Sequence, residues 1–73
     1  MNPDLTKALQ SCIDSCDYLI QLNKEGIDKI QSGMSAMLMK EFVNANEHSN
    51  DVLRRIRETL LSLQVEAQLD LQQ

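Results

Sequence analysis

Two cysteines four residues apart, Cys12 and Cys16, are the first feature of the chain that could carry chemistry. On a helix that spacing puts both side chains on one face. A zinc ion wants four donors, and the only histidine is His48. Half a metal site, or half of a paired disulfide framework, would need further donors from a second chain. The plainer reading is two small apolar side chains in a core, where free cysteine commonly sits. His48 follows Glu47 in a polar run, with no Glu-x-x-His or His-x-x-x-His spacing from which a helical di-metal site is built. No other base is available to activate a serine or cysteine, and the two glycines, Gly26 and Gly33, form no phosphate-binding loop. Neither an enzyme activity nor a cofactor or metal is expected.

The basic cluster Arg54, Arg55 and Arg57 is the remaining chemical candidate. Nucleic-acid affinity rests on neutralising phosphates, and this chain carries a formal charge of −4. Asp51 and Glu58 flank the arginines, and no aromatic residue stands near them for base stacking. A solvated face with local ion pairs is the simpler account, and Asp51 lies four residues before Arg55, the favoured order for a helical pair. Two alternatives stay open: a dimeric helical regulator that binds nucleic acid through these arginines, and a structural coiled-coil subunit.

The 73 residues make one domain, 1–73. A single core of this size supplies roughly 3–5 kcal/mol without a disulfide, a metal or a second chain. Tyr18 and Phe42 are the only aromatic residues, so the core must come from Leu, Ile, Met, Val and Ala. Those side chains suit helix–helix packing. The first helix has Asn2 to cap it, Pro3 for its first position and Asp4 at the positive end of the dipole. Leu5, Leu9, Cys12, Ile13, Cys16, Leu19, Ile20, Ile27, Ile30 and Met34 trace one stripe, from which Leu22 departs. Lys7, Gln10, Asp14, Asp17, Gln21, Lys24 and Asp28 read as the solvated face. Because Ile27 and Ile30 resume in phase, Gly26 is expected inside the helix at a cost of about 1 kcal/mol. Gly33 is the expected stop, with Ser32 or Ser35 capping the next helix.

The second helix meets a polar stretch at 44–51, either a loop or a solvated segment of one long helix. Steps of three and four from Leu38 through Phe42, Ala45, Ser49, Val52, Ile56, Leu60 and Leu63 to Ala67 favour continuity over a break near 44–50. Leu53, Ile56, Leu60, Leu63 and Ala67 are expected on a heptad seam. In the tail, Leu61, Leu63, Val65, Ala67, Leu69 and Leu71 alternate with polar residues, which alone is a strand pattern. The residue types are helix formers, so a helix with a frayed end is expected over 61–71. Such a helix carries leucines around much of its circumference, more than one partner helix can cover.

The expected fold is therefore an all-α antiparallel helical hairpin that associates into a bundle. In plan it resembles the small helical-hairpin co-chaperones of type III secretion needle subunits. The features that carry this are the short acidic chain, the Gly33 turn between amphipathic helices and the leucine-rich stretch 52–71. The resemblance implies a cytoplasmic protein that, with a second chaperone, keeps an aggregation-prone helical subunit from assembling early. The residues expected to bind protein are Met37, Leu38, Leu53, Ile56, Leu60, Leu61, Leu63, Val65 and Leu69. Met34, Met37 and Met39 sit at the apex, where adaptable side chains suit either core or contact surface. No apolar run reaches the roughly 18–20 residues of a membrane span. The N-terminus lacks the features of a secretory signal, so a reducing cytoplasm is expected. The expected partner is a helical protein, a second copy included, with no membrane span and no nucleic acid.

Overall fold

A computed structural model describes residues 3–30 and 35–72, with side chains described over 4–29 and 35–69. Two helices account for all the described residues but Ser35: α1 (Pro3–Ile30, 28 residues) and α2 (Ala36–Gln72, 37 residues). No strand occurs among the described residues. Pro3 opens α1, where its missing N–H costs nothing, and Asp4 lies in the first turn. Gly26 stays within the helix. Ser35 caps α2: its Oγ accepts a hydrogen bond from the Leu38 N–H at 3.3 Å, and its carbonyl accepts the first helical bond from the Met39 N–H at 2.9 Å. Asn2, Ser32, Gly33 and Met34 lie outside the described residues, and with them the expected N-cap and the glycine turn.

The stretch 44–51 is helix throughout, so no break occurs near 44–50. Of the three asparagines that suggested a loop, Asn44 is exposed and the other two find partners instead of turns. Asn46 and Asn50 lie inward, and their amides bond across to α1, which supplies what a loop would have offered. The tail also stays helical to Gln72. Leu, Gln, Glu and Ala prefer that state, and no neighbouring strand is present to reward the alternation.

The helices run antiparallel in a register read from three contacts across the hairpin. Gln10, Asp17 and Asn23 along α1 are answered by Gln64, Arg57 and Asn50 along α2. Extending that register places the end of α1 beside Val43, so residues 36–42 of α2 run past the last described turn of α1. The result is a rod with Cα extents of 57 × 16 × 10 Å. Its radius of gyration is 16.9 Å, where a compact chain of this length would have about 11 Å. Little interior forms in such a shape. Among the described apolar residues, only Leu9, Ile13, Cys16 and Ala67 are buried. No helix among the described residues is long and apolar enough to cross a membrane.

Candidate protein-interaction face

The seam between the helices follows a seven-residue repeat. On α1 it comprises Thr6, Leu9, Ile13, Cys16, Ile20, Asn23 and Ile27, all buried or half-buried. On α2 the inward positions are Met39, Val43, Asn46, Asn50, Leu53, Arg57, Leu60, Gln64 and Ala67. Four of those nine are polar. Asn50 is 5% exposed and accepts a hydrogen bond from the Asn23 side-chain amide at 2.8 Å. Asn46 donates to the Asn23 carbonyl at 2.9 Å, while its own Oδ1 is buried without a hydrogen-bond partner. Gln64 donates to Gln10 at 2.9 Å, and Arg57 donates from Nε to Asp17 at 2.6 Å. Helix α2 thus turns four polar side chains toward its own hairpin partner.

Leu53 and Leu60 share the seam with them, but several other large apolar side chains of α2 do not. Ile56 and Leu63, expected on the seam, are each 45% exposed. The correction has a geometric cause. Steps of three and four fit two adjacent rows on α2 equally well, and the row that pairs with α1 is one residue later: Val43, Asn50, Arg57 and Gln64. The row left outside is Ser49, Ile56 and Leu63, headed by the half-buried Phe42 and bordered by Leu38, Ala45, Val52 and Thr59. On α1 the same offset singles out Leu5, Cys12 and Leu19, bordered by Ala8, Ser15 and Leu22. Leu5, Cys12, Leu19 and Leu22 are exposed. The two cysteines therefore part company, Cys16 buried in the seam and Cys12 on the surface.

These rows share one side of the hairpin. Each lies one residue before the seam, and because α2 runs opposite to α1, the same rotation off the seam emerges on the same side in both helices. Residues one after the seam emerge on the other side: Gln10, Asp17 and Lys24 on α1, Lys40, Glu47, Arg54 and Leu61 on α2. The bonds of Gln10 with Gln64 and of Asp17 with Arg57 lie on that second side. The hairpin has one apolar broad face and one polar broad face.

The residues expected to bind protein are consequently dispersed. Ile56, Leu63 and Leu38 lie on the apolar face. Leu53 and Leu60 are half-buried in the seam, and Leu61 is half-buried toward the polar side. Val65 and Leu69 stand on the outer surface of the tail, both exposed, and Met37 is 73% exposed on the part of α2 that passes α1. Sequence reasoning missed Leu5, Leu19, Leu22 and Val52 as face residues. It also missed the polar seam, whose signal was the recurrence of Asn50, Arg57 and Gln64 every seven positions.

The arginine cluster is partly engaged. Arg57 is half-buried and held by Asp17, and Arg54 pairs with Asp51 at 3.2 Å, in place of the expected Asp51–Arg55 pair. Arg55 stands alone on the outer side of α2. His48 is exposed. Among the described residues, no group of three or more His, Cys, Asp or Glu side chains is placed to hold a metal ion. Comparison with protein-family models, with curated proteins and with solved structures found no match to this chain.

Proposed function

We propose that this chain is a non-catalytic protein–protein interaction module, a small chaperone or adaptor that lays its apolar face on a helical protein. The observation that carries the reading is the division of α2: Asn46, Asn50, Arg57 and Gln64 take four of the nine seam positions, while Val52, Ile56 and Leu63 remain outside at 39–45% exposure. A helix that folded for its hairpin alone would gain by carrying apolar side chains at those four positions, at about 25 cal/mol per Å² removed from water. The total accessible surface, 5555 Å², supports the same reading. A compact monomer of 8.3 kDa exposes roughly 4,600 Å².

The narrower form of the proposal follows the resemblance noted in the sequence. The partner would be an aggregation-prone helical subunit, such as a type III secretion needle subunit, held unassembled in the cytoplasm together with a second chaperone. Copurification of the tagged chain from its own host tests this, run beside Ile56→Glu and Leu63→Glu. The expected result is a stoichiometric helical protein that is lost from both variants while their circular dichroism is unchanged. Equal recovery with wild type and variants would refute the role of this face.

A further inference from the structure

We infer that in the free protein the apolar face is covered by a second copy of this chain, packed face to face into a four-helix bundle with α1 of each copy against α2 of the other. The inference rests on the reading of that face as an interaction surface and names its occupant.

The first argument is the width of the apolar surface. Each helix carries an inner row beside the groove and an outer row beyond it. The inner rows are represented by Leu19 on α1 and Ile56 on α2, the outer rows by Leu22 and Val52. All four side chains are exposed. A single helix lying in the groove, about 10 Å across with its side chains, covers the inner rows and leaves the outer ones in water. Two helices side by side cover both. The occupant is therefore itself a hairpin. The area agrees: a broad face of 57 × 16 Å, roughly 900 Å², is close to the ~800 Å² each partner buries in a stable complex.

The second argument is the pattern along the edges. A two-fold axis along the rod keeps every residue at its own level and sets α1 over α2 of the second copy. The register within the hairpin then fixes who meets whom. Leu19 and Leu22 come level with Val52 and Ile56. At the rim, Glu25 comes level with His48 of the second copy, and Tyr18, 65% exposed, with its Arg55. The first is a hydrogen-bonding pair and the second a cation over an aromatic ring. A two-fold axis across the rod would instead set α1 on α1, and give Glu25 and Tyr18 neither His48 nor Arg55 as a neighbour. Charge favours the first arrangement.

Sedimentation equilibrium on the full chain over a wide concentration range tests the inference. The expected result is a dimer, with Leu19→Glu and Ile56→Glu each raising its dissociation constant about a hundredfold or more, because each puts two charges into the interface. Helicity by circular dichroism should be unchanged; where a variant loses it, Ser49→Glu on the same row takes its place. In a Cys12→Ala, Cys16→Ala background, Leu22→Cys with Val52→Cys, level with each other on the outer rows of the apolar face, should give a disulfide-linked dimer under mild oxidation. Those two positions lie on opposite outer edges of one hairpin and cannot join within it.

A monomer at every concentration, a dimer indifferent to all the face variants, growth beyond the dimer, or a dimer in which positions 22 and 52 fail to cross-link would each overturn the arrangement. Binding of an apolar dye separates the two levels of the argument. A monomer that binds dye, and loses it on Ile56→Glu, sinks the second copy alone. A monomer that binds none sinks the interaction face as well.

Discussion

Truncating Asn50 probes the polar seam directly. Asn50 is 5% exposed and accepts from the Asn23 amide at 2.8 Å. Asn50→Ala removes that acceptor. A hydrogen bond contributes about 0.5–1.5 kcal/mol net, and a buried donor left unpaired costs ~1–3 kcal/mol. Asn23 is half-buried and keeps Ser49 Oγ at 3.3 Å, so the cost falls in the lower part of that range, about 1–2 kcal/mol. Against roughly 3–5 kcal/mol from a core of this size, that is a large fraction, and it lowers Tm by about 5–15 °C. Replacing both partners reverses the sign. Asn23→Leu with Asn50→Leu leaves neither group stranded and buries apolar surface, so the double variant should be as stable as wild type or more so. Urea unfolding followed by circular dichroism, at one protein concentration because association adds to stability, measures all three proteins. A cost below about 0.5 kcal/mol for Asn50→Ala, or a double variant as weak as the single, would refute the account of the seam.

Three other substitutions test the elements one at a time. A Cβ added at Gly26 meets nothing within 4 Å, so Gly26→Ala should stabilise the chain by about 1 kcal/mol, read as a raised Tm. Ser35→Ala removes the side-chain cap on the Leu38 N–H and should cost about 1 kcal/mol, with the loss of helicity confined by hydrogen exchange to the first turn of α2. Asp17 and Arg57 are 52% and 37% exposed at the side chain. A double-mutant cycle to Ala should therefore return only about 0.2–1 kcal/mol, shrinking further in 1 M salt. An effect that grew with salt would show that the pair is not electrostatic.

The helices themselves were legible in the residues. Pro3 with Asp4 and the step of three and four from Leu9 to Ile20 specify local backbone states, and local states need no partner to be read. The continuity through 44–51 and the helical tail followed from the same source, since phase and residue propensity act within a few turns. The division of α2 into an inner and an outer row was a different matter. Phe42, Ile56 and Leu63 lie about 100° from Val43, Arg57 and Gln64, and both rows satisfy the repeat. Hydrophobicity alone favours the first for the seam. Only the packed pair of helices decides, because Asn50, Arg57 and Gln64 find Asn23, Asp17 and Gln10 opposite them at a fixed register, and no local rule carries contacts across 27 to 54 positions of chain. Helix content was settled by the chain; the outward placement of its apolar row was settled by tertiary pairing, because a hydrogen bond across the hairpin needs both ends in place before it counts.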